Sequence, residues 1–286
     1  MADVKELATK HTPTWCPGCG DFGILTAVKF AIAEVGLDPD NTVIVSGIGC
    51  GSKLPHFVKT YGFESLHGRA LPCATGIKLA NKNLNVIVIT GDGDGLGIGA
   101  NHFMHTMRRN FNITHVIQDN RIYGLTKGQY SPTTPKGRIT PTSPHGALEE
   151  PVNPESWAIV AGATYVARGF ALDNLQLRRL IADGIRHKGY ALIDAFQMCP
   201  TYNKENSMQW YKEHIYKLEE SGHNPKDKMA ALAKALEAGD KLATGLFYVE
   251  EGKPVYEEQL PQMKEKALVH HDISKIDVKP FLERYM

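Results

Sequence analysis

Residues 86–99 read Val86-Ile87-Val88-Ile89-Thr90-Gly91-Asp92-Gly93-Asp94-Gly95-Leu96-Gly97-Ile98-Gly99. A short apolar run that stops at a glycine predicts a buried strand over 86–90. The glycines after it let main-chain N–H groups approach a ligand closely. In an open α/β sheet the carboxyl ends of the strands are where ligands sit. Asp92 adds an acceptor-only carboxylate that would repel a bare phosphate, so the pattern implies a bridging Mg²⁺ or Ca²⁺. A dinucleotide fingerprint fits less well, because the glycines lack the G-x-G-x-x-G spacing.

Three more apolar runs, at 43–45, 113–118 and 191–196, read as strands of the same kind. Helices are predicted at about 21–35, ending near Gly36, at about 98–109, and at about 173–188. The last places Leu177, Leu180, Ile181 and Ile185 on one stripe. Alternating strands and helices predict an α/β fold, a mostly parallel sheet with helices on both faces. Residues 124–156 break the rhythm with Pro132, Pro135, Pro141, Pro144, Pro151 and Pro154, as a functional or contact loop does. Beyond Cys199 the pattern weakens to charged sequence with one helix near 225–238. Residues 239–286 read as an arm wrapping a neighbour. The expected organisation is a main domain over 1–200 and a C-terminal extension over 201–286.

Of 286 residues, 42% are hydrophobic and 22% charged, as in a soluble globular chain. Lys plus Arg number 32 against 31 Asp plus Glu, which speaks against nucleic acid as the main partner. No run approaches the ~18 apolar residues of a membrane span, and residues 1–11 lack the apolar core of a secretory signal. Five cysteines in a chain this long fit a reducing interior, hence a cytoplasmic location.

Asn120 follows the strand at 113–118, 28 residues after Asp92. Neighbouring strand ends bring Asp92 and Asn120 to one ion, and the carbonyl of Ile122 could complete the protein's share. Gly91-Asp92-Gly93 followed by Asp119-Asn120 resembles the thiamine diphosphate signature. The longer strings GDGDGLGIGANHFMHTMRRN (91–110) and DNRIYGLTKGQYSPTT (119–134) resemble the β subunit of 2-oxoacid:ferredoxin oxidoreductases. The resemblance runs from Trp15 to about Pro200. It implies a thiamine diphosphate-binding fold in which Asp92, Asn120 and the main chain of Ile122 hold Mg²⁺. The cofactor would be lined by Ile48, Gly49, Cys50, Gly51 and Ser52, by His67, by Gly91, Gly93 and Asp94, and by Tyr123, Gly124, Leu125 and Thr126.

Trp15-Cys16-Pro17-Gly18-Cys19 is a CxxC turn, Cys50 follows the first strand, and Cys199 follows the strand at 191–196. Four thiolates suit a tetrahedral zinc or a [4Fe–4S] cluster, and spacing alone leaves both open beside a redox CxxC. The resemblance implies one [4Fe–4S] cluster on Cys16, Cys19, Cys50 and Cys199. Cys73 has no spacing partner and reads as a small buried thiol. His102 and His105, three apart on a helix, read as packing or capping residues. Arg108 and Arg109 suit a helix C-terminus, and Met104 and Met107 suit the core.

The activity so implied is CoA-dependent oxidative decarboxylation of a 2-oxo acid, reversible, with ferredoxin as electron acceptor. Lys53, close to both cofactors by sequence, could pair with a distal carboxylate and so favour 2-oxoglutarate over pyruvate. Lys127 could contact the substrate or a CoA phosphate, and His67 the diphosphate or substrate. Thiamine chemistry also needs a carboxylate against the aminopyrimidine ring, and residues 201–286 are too few for the domain that supplies it. A larger α subunit is therefore expected, in an αβ or (αβ)₂ assembly. The alternatives are a pyruvate or broad-specificity enzyme of the same type and a non-catalytic zinc-bearing α/β scaffold.

Overall fold

The computed structural model describes residues 4–237, 239–274 and 276–286. Eight strands form one sheet: β1 Thr42–Ser46, β2 Tyr61–Glu64, β3 Asn85–Gly91, β4 Ile113–Asp119, β5 Tyr165–Phe170, β6 Tyr190–Phe196, β7 Ile215–Lys217 and β8 Leu242–Val249. Their spatial order is β2-β1-β3-β4-β6-β5-β8-β7. All neighbours run parallel except β5 and β8. Among the described residues the seven longer α-helices are α1 Asp21–Val35, α2 Ala70–Ala80, α3 Ala100–Arg109, α4 Pro154–Ala161, α5 Asn174–Arg186, α6 Met208–His214 and α7 Lys228–Ala235. No helix among the described residues is long and apolar enough to cross a membrane.

Side-chain alternation along the strands divides the core into two layers. Ile44, Ile87, Ile89 and Val116 pack on the face covered by α1 and α5. Val43, Val45, Val86, Val88 and Ile117 pack on the face that carries α2, α3 and α4. Helix α1 ends where Gly36, at φ 76°, turns left-handed and donates its N–H to Ile32 and Ala33. Helix α5 begins where Asp173 accepts the N–H of Gln176, and it buries Leu177, Leu180 and Ile181 as its stripe predicts. Met107 is buried, Met104 packs against the same layer, and Arg108 and Arg109 occupy the last turn of α3.

The end of the chain departs from expectation. Residues 242–249, assigned to an arm, form β8 and lie antiparallel on β5, so this part of the extension completes the sheet. The run Leu242-Ala243-Thr244-Gly245-Leu246-Phe247-Tyr248-Val249 is strand-like, but a central glycine and the charged sequence that flanks it, from Asp240 and Lys241 to Glu250 and Glu251, obscure it. Strand β2 also escapes sequence reading, because all four of its residues are exposed and leave no burial pattern.

His115 on β4 is fully buried, with Nε2 2.8 Å from Thr90 Oγ1 and Nδ1 2.7 Å from the Tyr190 hydroxyl. Burial pushes its imidazole down to about 3. The unfolded chain therefore takes a proton near pH 6.5 that the folded protein refuses. His115's contribution to stability is full above that pH and is lost as the pH falls toward 3. The loss reaches about 3 kcal/mol by pH 4.5. Denaturant unfolding of wild type and His115→Gln at pH 7 and pH 4.5 should show the stability gap between them shrinking by about that much. An unchanged gap would mean that the folded ring is protonated.

Candidate active site

The chain runs from β1 outward to β2 and returns to β3 on the other side of β1, which makes β1/β3 the switch point of the sheet. A cavity of about 270 Å³ opens there, at the carboxyl ends of β1, β3, β4 and β6. Ile48, Gly49, Cys50 and Gly51 line it after β1, and Gly91, Asp92, Gly93 and Asp94 after β3. Asn120, Ile122, Tyr123, Gly124, Leu125 and Thr126 line it after β4, together with His67. Sequence reading thus brings nearly its whole cofactor set to one place. Gln118 and Gln197 line the cavity too and were not anticipated.

Strand β3 ends at Gly91, and the chain winds through a wide helical turn over Gly93–Ile98. The Tyr123 ring lies on this turn and donates its hydroxyl proton to the Gly93 carbonyl at 2.8 Å. A Cβ at residue 93 would fall 2.3 Å from that ring, so the close approach itself demands glycine.

Asp92 is buried and accepts from the Ser131 hydroxyl and, at 2.7 Å, from that of Thr133. Both hydroxyls belong to the proline-rich loop, which folds back into the site. The same Thr133 hydroxyl lies 2.8 Å from Asp119 Oδ1. Burial, then the Asp119 carboxylate, pushes Asp92 up to about 7, and burial pushes Asp119 up to about 6. A divalent cation at the cavity wall would favour the ionised form of Asp92, whereas Asp119 stays off that wall. Asn120 Oδ1 accepts the Ile122 N–H at 3.1 Å. Between these two, Arg121 adopts φ 59° and sends its guanidinium over the Phe196 and Trp210 rings, 5.1 and 5.3 Å from their centroids.

Asp94, on the cavity wall as expected, also organises that wall. Its Oδ1 accepts from the Gly68 N–H at 2.6 Å and the Ile48 N–H at 3.1 Å, and lies 2.8 Å from His67 Nδ1. One buried carboxylate so ties together three segments of the cavity wall and aims the His67 ring. Ser52 is also structural: its hydroxyl closes the turn at 49–52 on the Gly49 carbonyl, 2.6 Å away, and it is absent from the cavity wall. Lys127 sits at the left-handed tip (φ 81°) of the turn spanned by the Gln129 and Tyr123 main-chain bond and lines neither this cavity nor the next.

Cys16, Cys19, Cys50 and Cys199 line a second cavity of about 200 Å³, together with Trp15 and Lys53. Cys50 and Cys199 flank Gly124, where a Cβ would touch both sulfurs at 3.7 Å. The Trp15 indole donates to the Cys50 carbonyl at 2.7 Å and fixes the CxxC turn against it. Burial pushes the Cys50 thiol up to about 11 and the Cys19 thiol higher, the neighbouring Asp21 adding to both. Among the described residues no three His, Cys, Asp or Glu side chains converge tightly enough for a single metal ion. The thiols instead ring an open space. Lys53 reaches Thr14 Oγ1 at 3.3 Å on this rim, away from the diphosphate side. Cys50, Asn120, Gly124 and Leu125 belong to both cavities.

Residues 47–195 match the family profile described as "Thiamine pyrophosphate enzyme, C-terminal TPP binding domain". Residues 199–265 match the profile for the C-terminal part of the pyruvate ferredoxin oxidoreductase β chain. A 2-oxoacid:ferredoxin oxidoreductase subunit beta of Aeropyrum pernix is 43% identical over 98% of this chain and 95% of its own. Another, from a Sulfolobus species, is 49% identical over 86% of this chain and 85% of its own. A 2-oxoglutarate:ferredoxin oxidoreductase structure from Magnetococcus marinus, with 2-oxoglutarate, coenzyme A and succinyl-CoA bound, superposes with a TM-score of 0.91. That match is 39% identical and covers 100% of this chain and 96% of that one. With its thiamine-type cavity, its ring of cysteines and these relatives, the chain belongs to the β subunits of the thiamine diphosphate-dependent 2-oxoacid:ferredoxin oxidoreductases.

Proposed function

We propose that the substrate is 2-oxoglutarate, converted with CoA to succinyl-CoA and CO₂ while two electrons pass singly to ferredoxin, and that the reaction is reversible. The observation that carries this reading is the wall common to the two cavities, formed by Cys50, Asn120, Gly124 and Leu125. When bound, thiamine diphosphate supplies the carbanion chemistry that lets a 2-oxo acid lose CO₂. Asp92, Asn120 and the Ile122 carbonyl would hold its diphosphate through Mg²⁺, and Asp94 holds His67 at the same cavity. Cys16, Cys19, Cys50 and Cys199 would hold a [4Fe–4S] cluster as the adjoining one-electron acceptor. Their spread around an open cavity suits a polynuclear group better than a zinc ion, whose ~2.3 Å bonds draw four sulfurs close together. Lys53, on the cysteine rim, is the cation placed to meet a distal carboxylate, and the Magnetococcus marinus relative with 2-oxoglutarate bound supports that choice.

The α subunit would cover the cavity mouth and bring the carboxylate for the aminopyrimidine. Leu66, Ile98 and Leu125 are 76%, 54% and 50% exposed, and β2 leaves Tyr61 and Phe63 bare at the sheet edge. An apolar rim of this kind around a half-formed site suits a protein partner. Residues 276–286, with Phe281, Leu282 and Tyr285 exposed, would add to the contact.

The test is a visible spectrum of the αβ complex purified without oxygen. A broad iron–sulfur band that bleaches on adding 2-oxoglutarate and CoA, and not 2-oxobutyrate and CoA, is the expected result. Bleaching with pyruvate instead would keep the mechanism and change the substrate. A colourless protein containing zinc would end the oxidoreductase reading for this chain.

A further inference from the structure

Gln118, the penultimate residue of β4, is buried, and neither end of its carboxamide has a hydrogen-bond partner among the described residues. Burying both a donor and an acceptor unpaired is unfavourable, so the working enzyme must supply a partner. Strand parity puts Gln118 on the face of Val116, the α1 side, while Asp119 turns to the opposite face with Ile117. The carboxamide therefore stands on the cysteine side of the thiamine cavity, away from the Thr133–Asp119 contact. Its Oε1 lies against Gly51, where a Cβ would fall only 1.5 Å away. The other two carboxamides of this wall are committed: Asn120 Oδ1 accepts the Ile122 N–H at 3.1 Å, and Gln197 Oε1 faces the Cys19 thiol at 3.7 Å.

We propose that Gln118 is a substrate contact, its Nε2–H donating to an oxygen of the 2-oxo acid held between the diphosphate cradle and the cysteine wall. The assignment rests on the 2-oxo acid reading above and adds a residue to it. A neutral donor suits this place, because it can bind a carboxylate or keto oxygen without a countercharge. The cofactor is anchored elsewhere, at Asp92 and Asn120, so loss of the carboxamide should weaken the acid and spare the cofactor.

The experiment uses the αβ complex with wild-type Gln118, Gln118→Met and Gln118→Glu. Calorimetry first measures the Kd of thiamine diphosphate with Mg²⁺. It then measures, on the loaded complex, the Kd of the 2-oxoglutarate analogue in which a phosphonate replaces the carboxylate beside the ketone. The expected result is a roughly tenfold weaker analogue in Gln118→Met. Gln118→Glu, which keeps the size and adds a repelling charge, should weaken it further. The Kd of thiamine diphosphate should stay within about twofold in both. An equal loss of cofactor affinity would assign the carboxamide to the cofactor and overturn the proposal. No change in either constant would do the same, leaving ordered water as its partner. A wild-type complex that binds thiamine diphosphate but not the analogue would sink the substrate reading itself, a pattern distinct from any change confined to the variants.

Discussion

Replacing Asp92 with alanine is expected to remove thiamine diphosphate from the protein while leaving the fold intact. The carboxylate lies at the first turn after β3, on the wall of the cavity, with Asn120 and Ile122 beside it. Changing groups that merely support a metal ligand costs 10–100-fold in metal affinity, so removing a ligand itself should cost at least about 100-fold in Kd. Folding should suffer little. Burial and Asp119 both oppose the charge of Asp92, and the variant loses that repulsion along with two hydrogen bonds. The separating pattern is thus a melting temperature near that of the wild-type apoprotein with no cofactor at stoichiometric concentration. Calorimetric titration with thiamine diphosphate and Mg²⁺ measures the cofactor and differential scanning calorimetry the melting temperature. A wild-type Kd in Asp92→Ala would remove Asp92 from the metal site.

On the ligand set proposed above, Cys199→Ser should lose the proposed cluster, and Cys73→Ser should keep it. Cys199 lines the same cavity as Cys16, Cys19 and Cys50 and shares the Gly124 contact with Cys50. Cys73 lies on α2 and packs against the apolar layer on the other face of the sheet. Serine is a much poorer ligand for iron than a thiolate, and one missing corner exposes the cluster to loss. Iron and acid-labile sulfide per β chain should fall from about four to near zero in Cys199→Ser and stay near four in Cys73→Ser. Equal losses in the two variants would refute the choice of ligands.

How far the sequence reveals this site follows from how local each signal is. The Gly-Asp-Gly turn and the CxxC pair mark themselves as candidate sites within a few residues, although spacing alone does not say what the cysteines hold, and burial of β1, β3, β4 and β6 gives those strands apolar runs. Ser131 and Thr133 carry no such mark. A Ser-Pro-Thr-Thr stretch reads as a turn, and its role exists only because the loop returns across 39 and 41 residues to Asp92. Gln118 is hidden in a strand, where parity decides whether it faces the cavity. Lys127 is near the site in sequence but lines neither cavity, and the left-handed turn that presents it cannot be read from its neighbours. Asp94 is legible as a cavity residue, but the three contacts its Oδ1 makes with Ile48, His67 and Gly68 are not, because they come from distant segments.

Synthesis proceeds from the amino end at ~5–20 residues per second, so β1 to β6 emerge well before residues 242–249. Until β8 arrives, β5 is the open edge of the sheet, six residues long and apolar enough to be buried throughout in the finished molecule. Strand β7 cannot cover it, because among the described residues it pairs with β8 alone. A nascent chain, or one cut short of residue 242, thus carries a bare strand ready to pair with its neighbours on the ribosome or in an inclusion body. The last strand to be made is the one that closes the molecule against aggregation.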